Sequence, residues 1–335
     1  MAGRVLRAAV VGASTLLGKE LAEELNDSKA ATWDLTLLDG PEAGGQITSA
    51  GDEALVIQPL SAEAFAGVDV VFIAGEAATA REYWKAAHMA GASVVDVTGA
   101  LEGLPGVLVR SGWVDGDAAP DLATVAVVAA HPMAAVLAVI ETKLRPLGLT
   151  RLVATVLLPA SEMGSAGVDE LHQQTVGLLS FQPLQKDVYD AQVAFNVLAS
   201  VGGAAKVDLE RVRSTIARQA ALLAGAPSAV TVQLVQVPVF HGYGASVFAE
   251  MVSAADEAEV RRALDGGVLQ VVGAEEDAPS NESVAGESAM MVRLESAGAN
   301  GFWLWMAGDN LRLAVGNAAG CAQELVALRP ASGVN

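Results

Sequence analysis

Three side chains of this sequence could transfer a proton during a reaction. His131 and His241 carry imidazoles, which titrate near neutral pH and can also bind a metal. Neither has a partner at metal-ligand spacing, so polar residues without a catalytic role are the favoured interpretation of both. Tyr243 could donate a proton to a carbonyl, as tyrosines do in reductases that form no covalent intermediate. Val247 occupies the position at which a Tyr-x-x-x-Lys pair would need its lysine.

A stretch near the start of the chain could bind an anion instead. Residues 6–11 form a short apolar run that predicts a buried strand, and leucines recur at helical spacing from Leu16 onward. A helix N-terminus behind such a turn offers free N–H groups, which is how a Rossmann fold holds a pyrophosphate. Ser14 replaces the second glycine of the usual GxGxxG, so an ordinary α/β turn remains the alternative. The residues expected to contact a dinucleotide are Gly12, Ser14, Thr15, Leu16 and Gly18.

The elements that would position these groups change in kind along the chain. In the first 130 residues strands alternate with helices, which predicts right-handed βαβ units and a parallel sheet. From about Pro132 onward the pattern predicts an α+β domain with a mostly antiparallel sheet, and a loop at 273–289. The predicted strands are 6–11, 34–38, 68–73, 93–97, 124–128, 152–158, 230–240, 246–253, 268–272, 290–294 and 302–307, and the main predicted helices are 79–90, 134–145, 207–224 and 310–327.

Composition narrows the classes of protein that the chain can belong to. Its 335 residues exceed the usual size of one domain, and 52% of them are hydrophobic. The formal net charge of −19, without a basic stripe, argues against nucleic-acid binding. The single cysteine, Cys321, excludes a disulfide within the chain, and no apolar run reaches the roughly 18 residues that a membrane helix needs. We expect a soluble, cytoplasmic protein of two domains without a signal peptide.

Six strings of the sequence, in their order and spacing, resemble the aspartate-semialdehyde dehydrogenase family. They are GASTLLG (12–18), FIAGEAATAREY (72–83), GVDELHQQT (167–175), AQVAFNVL (191–198), VQVPVFHG (235–242) and AGDNLRLAVGNAA (307–319). The resemblance covers nearly the whole chain. It implies a Rossmann-like dinucleotide-binding domain over 1–132 and 308–335, and a substrate and dimerisation domain over 133–307. A homodimer through that second domain is implied as well.

The chemistry of that family needs side chains that this sequence replaces. A cysteine thiolate attacks the aldehyde or acyl phosphate, a histidine moves the proton, and a nicotinamide exchanges hydride at the thiohemiacetal or thioester stage. The resemblance assigns the cysteine, a glutamine, a substrate-binding arginine, the histidine and a second anion-binding arginine to Ala134, Leu158, Gln236, Tyr243 and Glu102, respectively. A slip of one residue would move the cysteine position to Ala135, which is no nucleophile either. Cys321 lies among alanines of the last helix, where a buried structural thiol is the favoured interpretation.

The residues that set cofactor preference in the family differ as well. The resemblance places the NADP-binding arginine at Glu42, while Asp39 follows the second predicted strand. Like charges about 4 Å apart cost on the order of 1–4 kcal/mol, so these carboxylates and Glu76 disfavour a 2′-phosphate. Asp39 could instead accept a hydrogen bond from a ribose 2′-OH, which favours NAD. We expect the chain to disfavour NADP and to be compatible with NAD. Asp39 and Gly75 complete the predicted dinucleotide site, and we expect no metal ion.

Together these differences predict a cysteine-less homologue that lacks the phosphorylating dehydrogenase activity of the family. Two functions stay open. In the first, the protein is a scaffold or regulator that binds an unidentified protein or small molecule. In the second, it is an NAD(P)-dependent oxidoreductase that works by a non-covalent mechanism, using His131, His241 or Tyr243. A titration with oxidised and reduced dinucleotides separates the two.

Overall fold

The computed structural model describes residues 5–28, 31–51, 53–114, 119–121, 123–225, 229–273 and 275–328. The chain forms two compact units. The first takes in the residues up to Ala130 and those from Ala314 onward, and the second runs from His131 to Leu313.

The first unit is built on a seven-stranded parallel sheet with the order β5-β2-β1-β6-β7-β9-β8. This confirms the Rossmann-like part of the predicted fold. Its elements in chain order are β1 (Val5–Val11), α1 (Leu16–Asp27), β2 (Thr32–Asp39), β3 (Ile47–Ala50), β4 (Glu53–Val56), β5 (Gln58–Pro59), a 3-10 turn (Ala62–Phe65), β6 (Val70–Ile73), α2 (Ala77–Met89), β7 (Ser93–Asp96), β8 (Val107–Arg110) and β9 (Ala126–Ala129).

Both faces of this sheet are apolar, and β1 shows why. Ala8 and Val10 point into a cluster that includes Leu21 of α1, whereas Ala9 and Val11 point into a cluster on the other face. A strand whose side chains are buried on both sides needs an uninterrupted apolar run, because alternate residues face opposite ways. Because β1 is packed on both faces, the turn that follows it lies at the carboxyl edge of a rigid sheet.

Some elements of the first unit were not predicted. β8 was missed because four residues are too few for a periodic signal. The antiparallel hairpin of β3 and β4 was missed for the same reason. The predicted strand 68–73 begins at Val70, because Asp69 instead accepts a hydrogen bond (3.0 Å) from the backbone N–H of Arg7.

The second unit holds a six-stranded mixed sheet with the order β11-β10-β12-β15-β14-β13. Three of its pairings are antiparallel, whereas β10–β11 and β13–β14 are parallel. Its elements are α3 (Pro132–Leu144), a 3-10 turn (Arg145–Leu147), β10 (Leu149–Leu158), a 3-10 turn (Ala160–Met163), α4 (Gly164–Leu179), α5 (Leu209–Ala224), β11 (Val230–Gln236), β12 (Tyr243–Met251), α6 (Glu257–Leu264), β13 (Leu269–Val271), β14 (Met290–Ser296) and β15 (Gly301–Gly308). The last helix, α7 (Asn310–Ala327), begins in this unit and belongs to the first unit from Ala314 onward.

Two element boundaries matter for the site. α3 begins at Pro132, two residues before the predicted start, because proline at the first helical position needs no backbone donor and His131 caps the helix. The predicted strand 230–240 ends at Gln236, which lies opposite Leu158 where the partner strand also ends.

Helix α4 was not predicted, although it carries one of the family-like strings. Its Gln174 is buried, and the side-chain oxygen accepts hydrogen bonds from the N–H groups of Val193 (2.7 Å) and Ala194 (3.2 Å). Two of the family-like strings thereby contact each other. None of the helices in the described residues is both long and apolar enough to cross a lipid bilayer.

One face of the second sheet carries exposed apolar side chains. Val153, Phe248 and Trp303 are direct neighbours across β10, β12 and β15, so they lie in one row on the same face. Val153 is 40% and Trp303 47% exposed, and the rings of Phe248 and Trp303 lie 5.0 Å apart. Such an exposed row on a sheet is typical of a surface that another molecule covers.

Candidate functional site

The turn between β1 and α1 has the geometry of a backbone anion site. Gly12 has φ +85°, and a Cβ at this position would lie 2.3 Å from the Cα of Gly75, so no other residue fits there. Thr15 caps α1 by accepting a hydrogen bond (3.0 Å) from the N–H of Gly18. The Thr15 hydroxyl also lies 2.7 Å from the carbonyl oxygen of Gly12, which fixes the turn to the helix.

Asp39 already occupies part of this turn. One of its carboxylate oxygens accepts a hydrogen bond (2.8 Å) from the N–H of Ser14, and the other accepts one (2.8 Å) from the N–H of Gly40. A ligand anion at Ser14 would therefore compete with a negative charge of the chain itself. A ribose hydroxyl would not, because it can donate to the same carboxylate. Glu42 and Glu76 are exposed near the ends of β2 and β6.

The position assigned to the family's nucleophile lies inside a helix and holds a methyl group. Ala134 is in the first turn of α3 and has no exposed surface, and the same is true of Ala135. The neighbouring residue Met133 is equally buried. None of these three apolar side chains is a nucleophile.

Beside this helix start, three polar side chains form a network. A carboxylate oxygen of Glu162 lies 3.0 Å from Nε2 of His131, and its other oxygen accepts a hydrogen bond (2.6 Å) from the hydroxyl of Tyr243. The rings of His131 and Tyr243 are 5.8 Å apart. Sequence reasoning singled out the histidine and the tyrosine but missed the glutamate between them.

The hydrogen bonds assign the proton of His131. Its Nδ1 accepts a hydrogen bond (3.1 Å) from the N–H of Met133, so Nδ1 carries no proton and Nε2–H donates to Glu162. The His131 backbone N–H donates to Gln219 (2.8 Å), which holds the residue to α5. Both ring nitrogens of His131 are therefore engaged within the chain.

The electrostatics of the network follow from its burial and its donors. Burial alone would raise the pKa of Glu162, but attraction to His131 and the hydrogen bonds from His131 and Tyr243 hold that pKa below its usual range. The pKa of Tyr243 is raised, first by burial and then by the charge of Glu162. The carboxylate is thus ionised and the phenol is a firmly bound donor.

The backbone on both sides of the network is fixed by a buried amide. Oδ1 of Asn310 accepts hydrogen bonds from the hydroxyl of Ser161 (3.1 Å) and from the N–H of Gly242 (2.8 Å). Ser161 precedes Glu162 and Gly242 precedes Tyr243, so the two hydrogen bonds set the spacing of the side chains that meet. The neighbouring Asp309 caps α7, whereas Asn310 has this separate role.

His241 does not join the network. Its residue is exposed, and it presents its carbonyl oxygen to Asn281 (2.9 Å). His131, by contrast, has a hydrogen-bonding partner that its sequence neighbours do not indicate, because Glu162 reaches it from a distant part of the sequence. Within the described residues, no group of at least three His, Cys, Asp or Glu side chains is placed to hold a metal ion.

The positions assigned to the substrate-binding residues are filled by structural side chains. Gln236 is buried, and its amide donates hydrogen bonds to the carbonyl oxygens of Leu158 (3.0 Å) and Val237 (3.2 Å). Leu158 is itself buried and lies across from Gln236 in the sheet. Glu102 is half-buried in the loop after β7, which Asp96 shapes by accepting hydrogen bonds from Thr98 and Leu101.

Cys321 is not an alternative nucleophile. It is fully buried on α7 in the first unit. Burial, with a smaller contribution from the charge of Glu324, raises the pKa of this thiol to about 12. A thiol with that pKa is protonated near neutral pH and is a weak nucleophile.

An open cleft of the second unit lies elsewhere. It has a volume of about 500 Å³ and lies between the segment before α5 and strand β11, with Val207, Glu210, Arg213 and Leu234 among its lining residues. His131, Glu162 and Tyr243 do not line it. This cleft is therefore separate from the polar network.

Comparisons with known proteins agree along the whole chain. Residues 7–138 match the family model "Semialdehyde dehydrogenase, NAD binding domain", and residues 143–313 match "Semialdehyde dehydrogenase, dimerisation domain". A USG-1 protein homolog from Pseudomonas aeruginosa is 32% identical over 92% of this chain and 93% of its own. An aspartate-semialdehyde dehydrogenase from Rickettsia bellii is 26% identical over 95% and 97%. The solved structure of a probable aspartate-semialdehyde dehydrogenase from Pseudomonas aeruginosa superposes with a TM-score of 0.84 at 30% identity, covering 96% of this chain and 99% of the other.

Proposed function

We propose, for a chain that belongs to the semialdehyde dehydrogenase family, that the phosphorylating dehydrogenase activity has been lost and that the protein is a scaffold or regulator. The observation that carries this proposal is the closed network beside α3. Each side-chain polar atom of His131, Glu162 and Tyr243 is bound to another member of the network or to the backbone. In this arrangement neither the N–H of His131 nor the O–H of Tyr243 is free to donate to a substrate.

The missing nucleophile supports the same proposal. A thioester requires a sulfur atom within reach of the carbonyl carbon, and the assigned position holds the buried methyl group of Ala134. Cys321 is buried with a raised pKa, so it does not supply a thiolate. A cysteine at position 134 alone would leave Leu158, Gln236 and Tyr243 at the positions assigned to the family's other functional residues.

The absence of substrate-binding arginines also supports the proposed loss of activity. An arginine can bind a substrate carboxylate through two parallel hydrogen bonds, whereas the amide of Gln236 is already used to bond two backbone carbonyls. Glu102 contributes a negative charge where the resemblance expects a positive one. Glu102 would therefore repel a dianionic acyl phosphate, and no arginine would bind it at these positions.

The β1–α1 turn favours one cofactor class if a dinucleotide binds. Gly12, Thr15, Leu16, Gly18 and Gly75 would line the pyrophosphate, and Asp39, which already accepts the N–H of Ser14, would also accept a hydrogen bond from the ribose hydroxyl of NAD. When bound, a nicotinamide supplies a hydride acceptor. This makes a non-covalent, NAD-dependent oxidoreductase the second candidate. It is the weaker one because the O–H of Tyr243, its best proton donor, is held by Glu162.

We also propose a cytoplasmic homodimer that forms through the outward row of the second sheet. The matched family model over this unit is a dimerisation domain. The row of Val153, Phe248 and Trp303 offers adjacent apolar side chains, and such side chains dominate the buried centre of stable interfaces.

A turnover assay tests the proposal. Purified protein is mixed with aspartate semialdehyde, phosphate and NADP or NAD, and reduction of the dinucleotide is followed by absorbance. We expect no phosphate-dependent rate for the natural sequence or for Ala134→Cys, since the variant still lacks the histidine and the arginine. Phosphate-dependent reduction by the natural sequence would overturn the proposal.

A further inference from the structure

We propose that His131 and Tyr243 form a binding site for a carboxylate and that Glu162 occupies this site as a tethered ligand of the chain itself. The inference rests on the proposed function only in that both concern the same side chains. It adds what the site recognises: a planar carboxylate group held by two hydrogen-bond donors.

The geometry of the donors supports this assignment. The Nε2–H of His131 and the O–H of Tyr243 converge on different oxygens of one carboxylate, at 3.0 and 2.6 Å. Two donors that each take one oxygen fix both the position and the orientation of the group, and hydrogen bonds to a charged acceptor are the stronger kind. A carboxylate is the ligand that satisfies both donors at once.

The donors are held in place independently of Glu162. Tyr243 is buried at the first position of β12, and the His131 ring is oriented by the N–H of Met133 on its Nδ1. The buried Asn310 fixes the backbone at Gly242, just before the tyrosine. Loss of the Glu162 side chain would therefore leave the two donors pointing at an unfilled position.

The carboxylate of Glu162 is accessible enough to be displaced from the two donors. Its side chain is 19% exposed and that of His131 13%, so solvent reaches the network. A tethered group acts at an effective concentration of millimolar or above, which excludes weakly bound free carboxylates from the natural protein. A carboxylate ligand thus enters only when Glu162 is displaced or removed.

Glu162→Ala provides a direct test, because it removes one methylene and one carboxylate, which together match acetate in size and charge. The thermal unfolding of the variant is measured with sodium acetate, with sodium chloride at equal ionic strength, and with acetamide as the uncharged analogue. We expect acetate alone to raise the unfolding temperature of Glu162→Ala and to leave the natural protein unchanged. In the double variant Glu162→Ala/Tyr243→Phe, acetate binding should weaken about tenfold, the effect of losing one charge-assisted hydrogen bond.

The opposite results would overturn the inference. A folded Glu162→Ala that responds equally to acetate, chloride and acetamide has no carboxylate site, and an undiminished response in the double variant removes Tyr243 from it. If Glu162→Ala does not fold in chloride, recovery of folded protein in acetate supports the inference and failure to recover it in acetate refutes it. The assay measures binding, so turnover by the natural protein would refute the proposed function while leaving this result intact.

Discussion

The substitution Tyr243→Phe isolates one hydrogen bond of the network without changing the packed volume of the ring. The tyrosine hydroxyl donates to a carboxylate oxygen of Glu162 at 2.6 Å, and the residue is buried. Removing a donor to a charged, partly buried acceptor costs about 1.5–3 kcal/mol. At an m-value of about 2 kcal/mol per molar urea, such a loss lowers the unfolding midpoint by about 1 M.

Tyr189→Phe is the matched control. Tyr189 is also fully buried in the second unit, but its hydroxyl donates to a neutral acceptor, the carbonyl oxygen of Ala160, at 3.3 Å. We expect its removal to cost about 1 kcal/mol or less. Urea unfolding of both variants, followed by a probe in the second unit, gives the comparison. Equal losses for the two variants would refute the reasoning that the charge of Glu162 strengthens the Tyr243 hydrogen bond.

The pH dependence of the stability cost of Tyr243→Phe gives a second test of this hydrogen bond. Folding lowers the pKa of Glu162 from its ordinary value of 4.5, so its contribution to stability is present above that value and is lost as the pH falls through the folded pKa. The cost of Tyr243→Phe should therefore be full near neutral pH and should shrink in acid, as the carboxyl group becomes protonated. A cost that is constant across this range would show that the carboxylate is not the acceptor that matters.

Three further predictions concern other parts of the molecule. Asp39→Ser should raise the affinity for NADP relative to NAD by roughly tenfold, measured by calorimetric titration, because it removes a negative charge beside Ser14; an unchanged ratio would contradict the assignment. Trp303→Glu should convert the dimer to a monomer in analytical ultracentrifugation, while Met89→Glu, on exposed surface of the first unit, should not; a dimeric Trp303→Glu would place the interface elsewhere. Cys321 should resist a thiol reagent in the native protein and react after denaturation, because it is buried with its pKa raised to about 12; fast native labelling would contradict this.

The sequence predicted those parts of the fold that depend on local pattern. β1 has an uninterrupted apolar run because both faces of the sheet are covered, and α7 begins and ends where it was predicted. β8 has only four residues, and α4 begins with a glycine-rich turn, so neither offered a clear periodic signal. Strand partners are set by packing over long separations, which explains why the two parallel pairings in the second sheet were not foreseen.

The candidate site was harder to predict because its members are far apart in sequence. Glu162 is separated from His131 by 31 residues and from Tyr243 by 81. His131 and Tyr243 could be singled out from residue type, whereas a glutamate in a surface-like turn carries no signal of burial. Once placed there, the partly buried carboxylate of Glu162 must find donors nearby, because a charge without them would be costly.

The central claim, that no covalent acyl–enzyme forms on this chain, is tested most directly by its intact mass. The natural protein is incubated with aspartate semialdehyde and oxidised dinucleotide in the absence of phosphate, so that any thioester accumulates, and the mass is then measured under denaturing, acidic conditions. The closed network beside Ala134 predicts an unchanged mass. A dinucleotide-dependent increase in mass by one acyl group would contradict it.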